Sequence, residues 1–333
     1  MTAGGYEPAS GCQNPSTSGQ ELPSVGDCGC QQAFQRSQGG FPWSLVNLDL
    51  LTSLDGLLWL QSGKQVGERF RQHQTTVSRN QKKCAQAFGF SIRKQKGFWA
   101  IDGDTSLLRL EREVHQLARF MGQASLRLEA NGWLDGALCT PKPEGWIVGS
   151  GKPLGIARGL QLVEERIVDA LLCPLADQPK DHPLLSTQPL CAMPLRPMVK
   201  PGHPLLQLST ISLDQVKAYP WQAIKRGAYP NTQLQLEAAG LWPPSRRSQK
   251  LDEQLWRGSS ENDVLIHIGS ALSHNPDQPG LIPLPLSHAA WSGIALVMRH
   301  EHADRPAIED LKEELCRRLQ GQQSHHPDLQ LLL

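Results

Sequence analysis

Basic side chains are concentrated in one short stretch of this chain. Residues 64 to 96 hold nine Lys and Arg residues against one acid, Glu68, which leaves a local excess of eight positive charges (nine minus one). The nine are Lys64, Arg69, Arg71, Arg79, Lys82, Lys83, Arg93, Lys94 and Lys96. The whole chain of 333 residues has a net charge of only +1, so the excess belongs to this stretch alone. Such a density of ammonium and guanidinium groups predicts a polyanionic partner that neutralises them, the alternative being a solvated helix face.

Apolar residues in the same region recur at the spacing of short helices. The pattern predicts a first packing helix over residues 45 to 60, a second over 64 to 71 and a third, cationic helix over 73 to 88. A polar turn joins the second helix to the third, and residues 90 to 101 have the pattern of a two-stranded hairpin. We therefore predict a winged helix-turn-helix over residues 43 to 103, after a disordered tail over residues 1 to 42.

A narrow apolar stripe marks the helix that follows, a linker predicted over residues 104 to 124. Asp104 suits its start, because a carboxylate there accepts hydrogen bonds from the exposed amides of a first turn. The apolar positions are separated by steps of three and four residues, the spacing of a coiled-coil seam. They are Leu107, Leu110, Val114, Leu117 and Met121. We expect two copies of the chain to pair along this stripe, whereas packing of the stripe on its own domain is the alternative. The charged neighbours are expected to stay in solvent, namely Arg109, Glu111, Arg112 and Arg119.

Beyond residue 125 the pattern changes to strands that alternate with helices. Such alternation predicts an α/β unit around a mostly parallel sheet. The break at residues 201 to 204, Pro-Gly-His-Pro, divides it into two lobes. We assign the first lobe to residues 125–198 and 290–320, the second to residues 199–289, and a tail to residues 321–333.

Composition excludes several classes of protein. With 39% hydrophobic and 20% charged residues, and no apolar run near the length of a membrane span, the chain is predicted to be a cytoplasmic protein that does not enter a membrane. The eight cysteines lack the paired spacing of a metal site, so no metal or other cofactor is expected. Cys191 as an oxidant sensor is an open alternative, although no resolving partner stands at suitable spacing. No catalytic motif is present, which predicts that the chain is not an enzyme.

At this point the residues resemble the LysR-type transcriptional regulators of bacteria. The DNA-binding signature of that family is matched without a gap, largely by conservative replacements. The matching positions are Ser62, Lys64, Val66, Gly67, Phe70, residues 73–81, Cys84, Ala85, Phe88, Gly89, Ile92 and Arg93. Segments 126–130, 168–173, 199–205, 281–286 and 293–298 are similar, in the right order, to strands of the family's effector domain. The resemblance covers residues 43 to about 320 and implies a two-lobed effector domain like that of periplasmic binding proteins.

The resemblance also implies which residues contact double-stranded DNA. The positions implied to meet base edges, at the start of the third helix, are Gln74, Thr75, Ser78 and Arg79. Thr76 and Lys82 stand at the margin of that face. Lys83, Lys94 and Lys96 are placed where phosphate contacts are expected, which position a protein without reading sequence. His73 stands where the family has a capping Ser, so a weak or absent cap is expected there.

Candidate effector contacts come from loops that end strands at the cleft between the lobes. They are Asn131, Ser150, Gly151 and Trp221, with the alternative that each merely caps a helix or turn. The implied function is a sequence-specific regulator that acts as a homodimer or homotetramer and responds to a small molecule. Two alternatives stay open: a DNA-binding protein whose α/β part serves only oligomerisation or partner docking, and a small-molecule enzyme with an incidental basic segment.

Overall fold

The computed structural model describes residues 47–95, 97–130, 138–149, 154–222, 224–242, 263–270, 272–273, 280–286 and 290–332. It begins with a helical unit that carries a small hairpin. Its elements are α1 (Leu48–Leu60), α2 (Gly63–Phe70), α3 (Gln74–Phe88), β1 (Ser91–Gln95), β2 (Phe98–Asp102) and α4 (Ser106–Phe120). β1 and β2 pair antiparallel, with Lys94 opposite Trp99. The winged helix-turn-helix expected from the sequence is thus present, with boundaries shifted by a few residues.

Local signals in the sequence explain where these helices begin and end. The Asn47 side chain accepts a hydrogen bond from the amide of Leu50 at 2.9 Å and so caps α1. Gly67 allows the tight turn between α2 and α3, because a Cβ atom at this position would lie 2.5 Å from the carbonyl oxygen of Gln72. As expected, the His73 side chain makes no capping hydrogen bond to α3. Gly89 ends α3 in the left-handed conformation, with φ of 72°.

Helix α4 buries its polar side, which corrects the expectation that its charges stay in solvent. Glu111, Arg112 and Arg119 are buried, and only Arg109 of the four expected solvated residues is exposed. Thr105 precedes the helix without a side-chain cap, while Asp104 accepts a hydrogen bond from the amide of Ser106 at 2.9 Å. The stripe of apolar residues lies on the opposite, outer side. In an ordinary surface helix the apolar side is buried and the polar side is exposed, whereas in α4 the polar side is buried and the apolar stripe is exposed.

The remaining elements form a two-lobed α/β domain. The helices are α5 (Ile156–Glu164), α6 (Leu213–Lys217), α7 (Pro230–Ala238) and α8 (Pro306–Gln323). The strands are β3 (Leu126–Ala130), β4 (Trp146–Val148), β5 (Ala170–Pro174), β6 (Leu185–Val199), β7 (His267–Gly269), β8 (Ile282–Pro283), β9 (Ala290–Arg299) and β10 (Gln330–Leu331). Three-residue 3-10 turns cover Leu175–Asp177 and His300–His302, and a four-residue turn covers Pro204–Gln207. Among the described residues, no helix is both long enough and apolar enough to cross a membrane.

The main sheet is mixed. The alternation of strands and helices in the sequence had predicted a mostly parallel sheet, and that prediction is wrong. Its strand order is β10-β6-β9-β5-β3-β4. β3 pairs parallel with β4 and β5, whereas β9 pairs antiparallel with β5 and β6, and β10 pairs antiparallel with β6. The long strands β6 and β9 cause the difference: β6 leads out of the first lobe, also pairing with β7 and β8, and β9 leads back.

A buried group of charges joins the helical unit to the first lobe. We call it the joint cluster and define it as Asp55 of α1, Arg112 of α4, Arg127 of β3, and the neighbouring pair of Arg119 and Asp169. Nε of Arg112 donates to the Asp55 carboxylate at 2.9 Å, and its Nη2 lies 2.8 Å from the same oxygen. Arg127 lies 3.4 Å from the other oxygen. The Arg119 guanidinium holds Asp169 at 2.7 and 2.9 Å. Each carboxylate is thus neutralised inside the protein by at least one guanidinium.

Further contacts close the same boundary. The indole nitrogen of Trp59 donates to the carboxylate of Glu129, and Arg69 donates to the carbonyl oxygen of Gly149 at 2.9 Å. Arg158 of α5 donates to the carbonyl oxygen of Leu58 at 2.8 Å. One hydrophobic cluster also runs across the boundary, from Leu54 and Leu58 of α1 to Leu162 and Leu171 of the first lobe. The helical unit and the first lobe consequently share a core.

We predict that Asp55→Ala lowers the free energy of unfolding by about 3 to 5 kcal/mol, because it removes the carboxylate paired with the buried Arg127 and leaves the buried Arg112 with Glu165 alone, at 3.1 Å. Urea unfolding followed by circular dichroism measures the change. Glu68→Ala is the control, since the pair of Glu68 with Lys64 is exposed at 3.8 Å and its removal should change stability by less than about 0.5 kcal/mol. Equal effects of the two substitutions would show that the joint cluster does not stabilise the fold.

Candidate nucleic-acid interface

The start of helix α3 presents the residues expected to contact DNA on one side. Gln74, Thr75, Ser78, Arg79 and Lys82 line a single open groove on the surface. All five side chains are exposed, as is Lys83, while Thr76 at their margin is half-buried. Successive turns of the helix bring them together, because residues three and four apart share a face. The structure thus joins the five into one cationic, hydrogen-bonding surface.

Helix α3 is anchored to α1 by both apolar and polar contacts. Val77 and Cys84 are completely buried on its inner side. Between them, the Asn80 side chain donates to the hydroxyl oxygen of Ser53 at 3.0 Å. The Ser53 hydroxyl lies 2.6 Å from the side-chain oxygen of Gln72, to which it donates. These polar residues fix the orientation of α3 across a separation of 27 positions, which no local pattern in the sequence indicates.

The hairpin carries two described cations, Arg93 and Lys94. Lys94 is exposed, and its ammonium nitrogen lies 5.3 Å from the centre of the Trp99 ring. Its neighbour Arg93 is paired with Asp102 at 2.8 Å, so that its charge is balanced within the hairpin. The amide of Trp99 donates to the side chain of Gln61 at 2.6 Å, which ties the hairpin to the end of α1. Lys96, the third expected phosphate contact, lies outside the described residues.

The apolar stripe of α4 faces outward in a single copy of the chain. Leu107, Leu110, Leu117 and Met121 are between 36 and 72% exposed, and Val114 is half-buried. The apolar residues Leu108 and Ala118, on the other side of the helix, are buried. The stripe is therefore accessible along most of its length.

The effector candidates fall mainly on parts of the chain that the structure leaves undescribed. Asn131, Ser150 and Gly151 lie outside the described residues. Trp221 is buried in the core of the second lobe, where it bridges to Ile266. Its indole nitrogen has no hydrogen-bond partner within the described part of the chain. A buried donor of this kind is satisfied only if an acceptor reaches it.

Asp177 of the first lobe contacts the first turn of α7, which belongs to the second lobe. Its carboxylate accepts from the amides of Asn231 at 2.8 Å and Thr232 at 3.2 Å, and from the Thr232 hydroxyl at 2.6 Å. The amide of Ile156 also donates to the carbonyl oxygen of Ala228 at 2.8 Å. The carboxylate thus satisfies helix-end amides and balances the positive end of the α7 dipole. Sequence reasoning missed Asp177, because its partners follow it by more than 50 positions.

Burial decides the reactivity of the thiol that had been considered as an oxidant sensor. Cys191 is fully buried, and this burial raises the pKa of its thiol to about 12. Because the thiolate is the reactive form, a pKa of this size leaves Cys191 unreactive at neutral pH. Within the described ranges, no group of three or more His, Cys, Asp or Glu side chains is arranged to hold a metal ion.

Comparison with known proteins identifies the α/β part. Residues 156–320 match the family model described as the LysR substrate binding domain. No curated protein sequence matches the chain. Among solved structures, a full-length OxyR variant from Pseudomonas aeruginosa is 16% identical, covers 81% of this chain and 94% of its own, and has a TM-score of 0.44.

Two further structures are similar over comparable lengths. A hydrogen peroxide-bound OxyR variant from Corynebacterium glutamicum is 13% identical, covers 86% of this chain and 95% of its own, and has a TM-score of 0.43. Full-length CbnR in complex with its target DNA is 13% identical, covers 81% of this chain and 98% of its own, and has a TM-score of 0.42. The family match rests on the sequence of the two-lobed domain. Residues 156–320 therefore belong to the family of LysR substrate binding domains.

Proposed function

We propose that the chain is a transcriptional regulator that binds specific sites in double-stranded DNA. The observation that carries this proposal is the exposed cationic groove along the start of α3, on a helix-turn-helix attached to a LysR substrate binding domain. The protein acts by binding and not by catalysis, and we place it in the cytoplasm, where its DNA is found. A helix of this kind enters the major groove with its first turns against base edges.

Each side chain of the groove has a definite role in this proposal. Arg79 pairs with the two acceptors of a guanine, and Gln74 pairs with adenine. The methyl group of Thr75 contacts a thymine methyl, and Ser78 bonds to either a base or the backbone. Thr76 and Lys82 border these contacts. Lys83, Lys94 and Lys96 meet phosphates and set the position of the protein on the duplex.

Selection of bound fragments from random and genomic duplex, with purified full-length protein, tests the proposal. We expect recovery of a defined site with two related halves, because a symmetric pair of subunits reads a symmetric site. Footprinting of the recovered site then gives its length. Recovery of unrelated fragments at low salt, where electrostatic binding is strongest, would contradict sequence-specific recognition.

Arg79→Ala should reduce the difference in binding free energy between the correct and a wrong base pair, at one position of the recovered site, by about 1 to 3 kcal/mol. The reason is that the Arg79 guanidinium donates two hydrogen bonds to a base edge. Lys94→Ala is the matched control: it should weaken binding to the site and to random duplex equally and reduce the salt slope by about one. Fluorescence anisotropy titrations at several salt concentrations measure both variants. If Arg79→Ala lost equal affinity for the recovered site and for random duplex, the assignment of base readout to Arg79 and of a phosphate contact to Lys94 would be wrong.

We further propose that the outer side of α4 pairs with α4 of a second copy to form a homodimer, which can assemble into a homotetramer. Leu107, Leu110, Val114, Leu117 and Met121 have the spacing of a coiled-coil seam and lie on the accessible side of the helix. Two chains joined in this way carry two copies of α3, so that both halves of a site are bound at once.

Leu110→Asp should produce a monomer, because it places a charge at the centre of the seam. Its affinity for a two-half site should fall by about 10² to 10⁴, the usual gain from joining two binding modules. Leu234→Asp in α7 is the matched control, since Leu234 is 61% and Leu110 63% exposed. Sedimentation velocity gives the oligomeric state and anisotropy the affinity. A dimeric Leu110→Asp variant would remove α4 from the interface.

A small-molecule effector between the lobes is part of the proposal, with Asn131, Ser150, Gly151 and Trp221 as its contacts. The unpartnered indole donor of Trp221 supports a bound acceptor in this region. The Asp177 contact favours the second candidate, in which the α/β part serves only oligomerisation or partner docking, because a carboxylate of the chain itself occupies the first turn of α7. Thermal-shift screening separates the two: a metabolite that raises the unfolding midpoint supports an effector, and silence across a broad library supports docking.

Asp177→Ala should lower the free energy of unfolding by about 1 to 3 kcal/mol, because it leaves two buried donors of Thr232 unsatisfied. It should also speed hydrogen exchange at the amides of Asn231 and Thr232, which mass spectrometry of the α7 peptide measures. Asp310→Ala, which removes an exposed carboxylate from α8, is the control and should change neither quantity appreciably. Unchanged exchange in the Asp177→Ala variant would show that this contact does not hold the lobes together.

A further inference from the structure

A tight turn of the second lobe lies against the hairpin of the helical unit. We call it the lobe turn and define it as residues 225–228. The amide of Ala228 donates to the carbonyl oxygen of Lys225 at 3.1 Å, which closes the turn. Gly227 stands at its third position with φ of 74°, a conformation that glycine adopts easily. The amide of Gly227 also donates to the side-chain oxygen of Gln233 at 3.0 Å, so the turn has a defined shape.

Contacts with the first lobe fix the position of the lobe turn. The amide of Ile156 donates to the carbonyl oxygen of Ala228 at 2.8 Å. Tyr229, the next residue, is buried in a hydrophobic cluster on which Trp99 and Ile101 of the hairpin also pack. The lobe turn, the first lobe and the hairpin are therefore held against one another through a common core.

Lys225 carries the contact from the lobe turn to the hairpin. It is exposed, and its ammonium nitrogen lies 5.9 Å from the centre of the Phe98 ring. The nitrogen of Lys94 lies 5.3 Å from the centre of the Trp99 ring. Phe98 and Trp99 are consecutive in β2, so their side chains point to opposite faces of the hairpin. The hairpin thus has a lysine on each face, one from its own strand and one from the second lobe.

The charge of Lys225 is available to a partner. The neighbouring Arg226 pairs with Glu237 of α7 at 3.2 Å. Among the described residues, in contrast, no carboxylate forms an ion pair with Lys225. An exposed aromatic ring attracts a cation without neutralising its charge, so the ammonium group can still bind an anion.

We propose that Lys225 binds a phosphate of the DNA backbone, so that the second lobe forms part of the nucleic-acid interface. The inference rests on the proposed function, because it takes the hairpin to lie against the duplex. Each groove of a duplex is bordered by two phosphate backbones, and a hairpin that lies in a groove has one of them on either side. Lysines on opposite faces of the hairpin therefore contact different strands, Lys94 one strand and Lys225 the other.

Such a contact couples DNA binding to the arrangement of the two lobes. Lys94 belongs to the helical unit and Lys225 to the second lobe, so a duplex bound by both favours the conformation in which the lobe turn lies on the hairpin. A conformation in which the second lobe moves away has one phosphate contact fewer and binds all DNA more weakly. The contact thus gives a change between the lobes a direct route to DNA affinity.

Acetylation of exposed lysines in the full-length protein, with and without random-sequence duplex at low salt, tests the contact directly. Mass spectrometry measures the rate at each lysine. We expect bound duplex to slow acetylation of Lys94 and Lys225 but not of Lys217, an exposed lysine elsewhere in the second lobe. An unchanged rate at Lys225, or equal protection of Lys217, would overturn the inference.

Lys225→Ala should lower the slope of log affinity against log salt concentration by about one and weaken binding to the recovered site and to random duplex equally. The double variant with Lys94→Ala should lower the slope by about two, because the two lysines meet different phosphates. Arg226→Ala is the matched control: it removes the same charge from the adjacent position and should leave the slope unchanged, since Arg226 is paired with Glu237.

The outcomes separate this inference from the proposed function. Wild-type protein that selects a defined site, together with an unchanged salt slope in Lys225→Ala, would overturn the role of the second lobe and leave the proposed function standing. Equal changes of slope in Lys225→Ala and Arg226→Ala would also overturn it, because net charge alone would then explain the effect. Wild-type protein that binds no duplex even at low salt would overturn both.

Discussion

The rest of the structure depends on the burial of Asp55 between Arg112 and Arg127. A charge inside a protein is tolerated only when it is paired, because the free energy of removing it from water is large and only a close partner of opposite charge offsets it. Since the three residues come from α1, α4 and β3, the helix-turn-helix, the linker helix and the first lobe have to assemble together to neutralise this carboxylate. Burial lowers the pKa of Arg127 to about 10, which still leaves its guanidinium charged at neutral pH.

This constraint also decides which side of α4 is accessible. Arg112 and Arg119 point into the joint cluster, so the opposite side of the helix, with its leucines, is turned outward. An apolar stripe that would be covered in an ordinary surface helix is thereby left exposed. Helix α4 thus has two functional sides. One side carries the arginines of the joint cluster, and the other carries the apolar stripe proposed for dimerisation.

The two-lobed domain is held together by polar contacts of a different kind. Asp177 caps α7 across the lobes, and strands β6 and β9 connect the lobes covalently. A carboxylate of the chain itself therefore occupies the first turn of α7, where helix-end amides would otherwise favour an anion.

The sequence by itself determined the elements whose signals are local. Helical periodicity, the polar turn before α3 and the hairpin pattern of residues 90 to 101 predicted the winged helix-turn-helix, because those patterns depend on neighbours within a few positions. The residues of α3 expected to contact DNA came from the family resemblance. The tertiary structure alone decided the antiparallel returns of the sheet, the polar anchoring of α3 through Asn80 and Ser53, and the buried side of α4. Asp55 and Arg127 are 72 positions apart, so no local pattern could predict their pairing. A periodic pattern shows that a helix has an apolar and a polar side, but only the folded chain decides which of the two sides is buried.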